Sequence, residues 1–176
     1  EHGSKAPLAL VICLAVLIAA VLLASLTQRS FWKVSVSNVI YTNFNGISIR
    51  AKLLKPLNAT GTHPAPGIIY IHGYHNNRET CYAYCIELAR RGIVVLEIDA
   101  IGRGNSGIPG QPDHPDFDPS YGGKRSLRYL LALPYVDSGR IGLMGHSLGA
   151  ELVYAMALQA SSVKALVISG FAYRDD

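Results

Sequence analysis

The stretch GLMGHSLGAE, residues 142–151, decides how this chain folds. An apolar run from Ile141 to Gly145 enters it, and a segment with Leu148, Leu152 and Met156 about one helical turn apart leaves it. Between them stands Gly145-His146-Ser147-Leu148-Gly149, a serine flanked at two residues' distance by glycines. A strand that turns directly into a helix forces the residue at the turn into a strained backbone conformation and pushes its side chain clear of the sheet. Gly145 and Gly149 lack the side chains that would hold strand and helix apart. The N-terminus of the helix aims free N–H groups and the positive end of its dipole at the same point. Ser147 is therefore a candidate nucleophile. The competing reading is a tight strand-to-helix turn that happens to hold a serine.

Working outward, each neighbouring segment has the pattern of a layered α/β domain. GIIYIHG (67–73) is apolar on both faces, as befits a central strand of a parallel sheet. Residues 78–91 place Cys81, Cys85, Leu88 and Ala89 on one face and read as a helix stopped by Gly92. IVVLEID (93–99) is the next strand, ending at Asp99 and the glycine-rich AIGRGNSG (100–107). A loop rich in Pro, Asp and Gly runs to about Gly123, then KRSLRYLLAL (124–133) reads as a helix. RIGLMG (140–145), LGAELVYAMALQA (148–160) and VKALVIS (163–169) follow as strand, helix and strand. This strict alternation predicts an α/β fold: a mostly parallel sheet with helices on both faces. Upstream, WKVSVSNVIYT (32–42), the turn at Asn43–Gly46 and ISIRAKLLKP (47–56) predict an antiparallel hairpin at the sheet edge.

The N-terminal part belongs to another solvent. Ala6–Leu26 carries no charged side chain and would span about 30 Å as a helix, the thickness of a bilayer's hydrocarbon core. It reads as a retained anchor. A cleaved signal peptide with Lys5 as its positive flank is the alternative, but the run exceeds the usual apolar region of roughly 7–15 residues. The expected organisation is a flank at 1–5, a transmembrane helix at 6–27, a linker at 28–33 and the globular part at 34–176. Lys5 on one side against Arg29 and Lys33 on the other leans towards a cytoplasmic globular part, with the membrane side left open.

Composition narrows the function classes. The chain has 176 residues, 49% of them apolar, and a net charge of +4 with no clustered basic stripe, so nucleic acid is not an expected partner. Cys81 and Cys85, four apart on one helix face, are poorly spaced for a disulfide and read as small buried hydrophobes. His114 with Asp113, Asp116 and Asp118 lies in a proline-rich loop without ligand spacing; no metal and no organic cofactor is expected. Asn58-Ala59-Thr60 matches a glycosylation sequon, a three-residue pattern of little weight.

A second feature converges on Ser147. His72-Gly73-Tyr74 follows the first central strand, at the same carboxyl edge of the sheet. There the backbone N–H of Tyr74 can pair with that of Leu148 to bind a developing oxyanion. Losing one such donor typically costs about 10²–10³ in rate.

Three motifs now stand in order: His72-Gly73-Tyr74, Asp99 with Gly102–Gly107, and DSGRIGLMGHSLG (137–149). Over roughly residues 34–176 the chain resembles α/β-hydrolase fold serine hydrolases, nearest to the dienelactone-hydrolase, serine-aminopeptidase and acyl-peptidase-like branches. The resemblance implies Ser147 as nucleophile, Tyr74 and Leu148 as oxyanion donors, and a small-molecule ester or peptide as substrate. In that family the order is Ser, then Asp or Glu, then His. Here no histidine follows His146, and the sequence ends one strand beyond the helix that follows Ser147. The expected account is truncation before the triad is complete, leaving a fragment nearly inert by itself, because a serine without its base is a weak nucleophile.

Asp175 is a candidate acid against the reading of a solvated loop residue. His146 is expected to point into the structure, His72 to brace the oxyanion loop, His75 to stand at the pocket entrance, and Asp99 to fix the turn before the glycine loop. Together these expectations describe a membrane-anchored serine hydrolase. The rival is a non-catalytic membrane protein that uses the same fold as a binding scaffold, since fold alone does not establish activity.

Overall fold

The computed structural model describes residues 6–28, 31 and 33–171. Helix α1 (Ala6–Gln28) leads into β1 (Val34–Thr42) and β2 (Ser48–Pro56). Then come β3 (Ala65–Ile71), α2 (Tyr82–Arg90), β4 (Val94–Ile98), α3 (Gly123–Leu131), β5 (Val136–His146), α4 (Leu148–Ala157) and β6 (Val163–Ser169). The six strands form one sheet in the order β1-β2-β4-β3-β5-β6. Strands β3 to β6 pair in parallel, and the β1–β2 hairpin joins the antiparallel flank of β4. The alternation read from the sequence is thus the architecture observed.

The two faces of the sheet carry different helices. Tyr70 on β3, Val95 on β4 and Leu54 on β2 pack under α2 through Cys85 and Ala89. On the opposite face, Ile69, Ile71, Leu96, Ile98 and Leu143 meet Leu127 and Leu130 of α3 and Leu152, Val153 and Met156 of α4. Neighbouring residues of β3 therefore serve opposite layers, which is why that strand reads as a continuous apolar run.

Strand order matters most for function. After β3 the chain crosses towards the hairpin side to form β4, whereas after β5 it crosses the other way to form β6. The adjacent carboxyl ends of β3 and β5 are therefore the switch point where connections diverge and open a crevice, the place where ligands bind in open α/β sheets.

Two local features differ from the sequence expectation. The helix expected over 78–91 opens with a separate 3₁₀ turn, Arg78–Cys81, capped by Asn77, whose side chain accepts the Glu79 N–H at 3.0 Å. Strand β5 starts at Val136, earlier than the expected Arg140, and its pairing with β3 slips between Ala65 and Gly67. Pro66 lies at that slip and has no N–H to give to a ladder.

Helix α1 is long and apolar enough to cross a membrane, a property it shares with signal sequences. Its large apolar side chains from Leu8 to Leu23 are exposed, and at its end the Tyr82 hydroxyl donates to the Gln28 carbonyl at 2.8 Å. The flank at 1–5, Arg29, and Asp175 lie outside the described residues.

Candidate active site

Ser147 stands between β5 and α4 with φ 52° and ψ −121°. Positive φ in a non-glycine residue costs on the order of 1–3 kcal/mol and persists only where the surroundings enforce it. Here they do. The Ser147 N–H donates to the Ser169 carbonyl on β6 at 2.9 Å, and its own carbonyl accepts from Ala150 at 2.8 Å and Glu151 at 3.2 Å. The glycines leave no room for an alternative: a Cβ on Gly145 would lie 2.2 Å from the Gly149 carbonyl oxygen, and one on Gly149 would lie 2.0 Å from that of Ile71. Strand, helix and the end of β3 meet backbone to backbone.

The loop after β3 lies directly against this turn, where a Cβ placed on Gly73 would be 3.3 Å from the Ser147 Cβ. Leu148 is the first residue of α4, a position whose N–H has no partner inside the helix. Tyr74, next along from Gly73, is half exposed at the same edge. Thus the switch point brings Ser147, Gly73, Tyr74 and Leu148 together.

The two histidines nearest the serine are both occupied elsewhere. His72 is fully buried, and its Nε2 accepts the Ala100 N–H at 3.1 Å. Its Nδ1 must therefore carry the proton, which it donates to the Gly73 carbonyl at 2.7 Å. Burial, aided by the nearby Arg103 cation, pushes its pKa down, while the Gly73 carbonyl and Asp99 oppose the shift. His72 is a neutral strut between two loops. His146 turns towards β6 instead of the interior, its Nδ1 2.8 Å from the Ser169 hydroxyl. It is half-buried rather than sealed in, because its neighbour β6 is itself exposed. Among the described residues no histidine hydrogen-bonds the Ser147 hydroxyl. His75 is exposed beside Tyr74, its ring edge-on at 4.9 Å between centroids.

Asp99 organises the next loop. Its carboxylate accepts the N–H groups of Arg78 at 2.9 Å and Asn105 at 3.0 Å, and it pairs with the Arg78 guanidinium at 3.4 Å. Gly104, with φ 53°, passes so close that a Cβ there would lie 2.3 Å from the Asp99 Cγ. The sequence reading did not single out Arg103, which this loop lays over Tyr74. The run of glycines after Asp99 was the available signal, since such loops exist to place what they carry. Farther off, Asp118 accepts from Ser120 and Gly122 in the turn before α3 and from the Asn43 side chain of the β1–β2 turn, so its oxygens fasten these loops. Cys85 is buried and Cys81 accepts the Tyr70 hydroxyl at 2.6 Å; both are free thiols.

With this geometry in view, comparison with known proteins is decisive at the family level. The family model described as serine aminopeptidase, S33, matches residues 62–176. The chain belongs to the serine aminopeptidase family of α/β hydrolases. It is 32% identical over 134 residues to YcjY, an uncharacterised protein of Escherichia coli K12, covering 74% of this chain and 44% of that protein. The solved structure of protein PA2218 from Pseudomonas aeruginosa aligns with a TM-score of 0.63 at 31% identity, over 77% of this chain and 42% of the other. An acetyl xylan esterase from Paenibacillus sp. R4 aligns with a TM-score of 0.60 at 26% identity, over 76% of this chain and 48% of that one. The chain thus spans less than half the length of each of these relatives. The family match begins after the β1–β2 hairpin and takes in β3 to β6, with the Ser147 turn at the β3–β5 switch point.

Proposed function

We propose that the protein is a membrane-anchored serine hydrolase in which Ser147 attacks an ester or amide carbonyl. The N–H groups of Tyr74 and Leu148 receive the oxyanion of the tetrahedral intermediate, and water then releases the acyl group. The observation that carries this reading is the enforced positive φ of Ser147 at the β3–β5 switch point, with the Gly73 loop packed against its Cβ. Such strain is maintained at the cost of stability, and a turn with no task could relieve it by placing glycine at 147.

The proton acceptor for Ser147 is assigned to the part that its longer relatives have and residues 1–176 do not cover, and the acid to that same part ahead of Asp175. Asp175 remains the candidate acid within this sequence. The 176-residue chain by itself is expected to acylate slowly, because an unactivated hydroxyl is a weak nucleophile. Small esters rank ahead of peptides with a free N-terminus as substrates, a ranking that the esterase among the structural relatives supports. No cofactor enters the chemistry. Helix α1, apolar on all sides and exposed, serves as the anchor.

The test uses the full-length gene product in detergent, exposed to a fluorophosphonate probe beside a Ser147→Ala control. Labelling that disappears in the variant is the expected result. A folded wild-type protein that stays unlabelled would overturn the hydrolase reading and leave the binding scaffold. Anchoring is checked separately: the protein should stay with the membrane after alkaline extraction.

A further inference from the structure

The glycine loop after β4 is held more tightly than its composition requires. Gly102 N–H donates to the Gly107 carbonyl at 2.8 Å, and Gly107 N–H to the Ser48 carbonyl on β2 at 2.8 Å. The Ser106 hydroxyl donates to the Asp99 carbonyl at 2.6 Å and accepts the Arg50 N–H at 2.9 Å. With Asn105 bound to the Asp99 carboxylate, the loop is fastened to both β2 and β4. From this platform Arg103 reaches across to the other loop. Its Nε donates to the Tyr74 carbonyl at 2.5 Å, its Nη1 to the Gly102 carbonyl at 2.8 Å, and its guanidinium lies over the Tyr74 ring, 3.9 Å from the centroid.

The peptide that matters is Gly73–Tyr74. Because a trans peptide is planar, its N–H points opposite to its carbonyl. The Gly73 carbonyl is held by His72 Nδ1 at 2.7 Å and by the Asn76 N–H at 3.1 Å, which fixes one side of that plane. The other side turns on the Tyr74 backbone, and there Arg103 holds both the carbonyl and the ring. Without it, the exposed Tyr74 loses this hold on its carbonyl and ring, and the Gly73–Tyr74 plane rests on the two bonds to the Gly73 carbonyl alone.

We infer that Arg103 is the positioning residue of the oxyanion pocket, clamping Tyr74 so that its N–H meets the charge that develops next to Ser147. This rests on the serine hydrolase reading above. An oxyanion exists only during reaction, so the clamp acts on the chemical step and leaves ground-state binding alone.

The experiment measures the inactivation rate constant and the inhibition constant of a fluorophosphonate on the full-length protein, in wild type, Ser147→Ala and Arg103→Met. Methionine keeps the apolar stem but removes the fork of donors. The expected result is a maximal inactivation rate about ten- to a hundredfold lower in Arg103→Met, less than the full loss of an oxyanion donor. The inhibition constant should be unchanged, and millimolar guanidinium should restore part of the rate. An unchanged maximal rate, or a loss confined to the inhibition constant, overturns the inference while leaving Ser147 as the nucleophile. Failure of wild type to label overturns both, because no oxyanion then needs a pocket. Should Arg103→Met melt below the assay temperature, Arg103→Lys carries the test. It keeps a cation for the ring without the two-carbonyl fork, so an intermediate rate supports the clamp and a wild-type rate overturns it.

Discussion

Strands β4 (Val94–Ile98) and β6 (Val163–Ser169) are both parallel strands rich in Val, Ile and Leu, and they occupy opposite environments. Every residue of β4 is buried, covered by α2 on one face and by α3 on the other. In β6, five of the seven residues are exposed, with Val167 at 49% and Ile168 at 39% of their full accessibility. Residues that seek burial have found it in one strand and not in its counterpart at the edge. The interior block β2-β4-β3-β5 sets the geometry of the Ser147 turn, whereas β6 contributes one backbone hydrogen bond to that turn, from Ser147 to the Ser169 carbonyl. Stability and site geometry should therefore respond steeply to changes in the block and weakly to changes in the outer strand.

The steepest response is expected at Gly149. A methyl group there would meet the Ile71 carbonyl oxygen at 2.0 Å, and what it meets is the backbone of a central strand that cannot step aside. Gly149→Ala should cost more than about 4 kcal/mol, the range reserved for severe steric insults to a core, and remove cooperative unfolding in a denaturant titration. A stable Gly149→Ala protein would show that the block yields as easily as the edge, and the comparison would fail.

The second response comes from Glu97, a carboxyl in the middle of β4 with no exposed surface. Neither of its oxygens has a hydrogen-bond partner of good geometry, although the Cys85 thiol lies near enough to ease its ionisation slightly. Burial first, and Glu79 second, push its pKa up to about 8 from an ordinary 4.5, against the pull of Lys52 and Arg78. The folded state therefore keeps this group protonated where the unfolded chain has released the proton. Its contribution is intact below about pH 4.5 and is lost as pH rises through about 8, at up to roughly 1.4 kcal/mol per unit, a few kcal/mol in all. Glu97→Gln should flatten that slope in denaturation midpoints taken between pH 5 and 8. A wild-type slope in the variant would mean that Glu97 ionises freely and that β4 is less sealed than its packing indicates.

Why parts of this were legible beforehand follows from the range of each interaction. Element type depends on near neighbours, so Ile68 to Ile71 read as a central strand and Leu127, Leu130 and Leu131 as a helix face. The turn at Ser147 was legible for the same reason: its glycines, its strand and its helix are contiguous. Strand order was not, because nothing near β4 in sequence says that it pairs with β2, some forty residues upstream. Arg103 was missed because its partner Tyr74 lies 29 residues away, on another loop. His146 was expected to turn away from the Ser147 hydroxyl, but its partner Ser169 was not legible, because the pairing of β5 with β6 is a property of the whole assembly of strands. Glu97 escaped notice because a glutamate in an apolar run reads as a solvent-facing exception, and only its burial shows it to be enclosed.

The smallest expected effect is the most informative about β6 itself. Val167 lines an open groove of about 480 Å³ shared with Tyr70, Cys81, Tyr84, Met144 and His146, on the α2 face of the sheet. A half-exposed valine there loses little by becoming polar, so Val167→Ser in the 176-residue chain should shift stability by no more than about 0.5 kcal/mol. A core valine would behave differently, since burying a side chain of that size is worth about 1.5–3 kcal/mol. Making the same substitution in the full-length gene product separates two accounts of the strand. Equal effects in the two proteins would mean that β6 is an edge in both, and that its apolar composition answers to something other than burial. A cost of 1.5 kcal/mol or more confined to the longer protein would mean that β6 is an interior strand there, covered over the groove. In that case the Ser147 N–H bond to Ser169 would be enclosed as well, and the turn would be confined on the β6 side as it already is on the other by the close approach of Ile71 to Gly149.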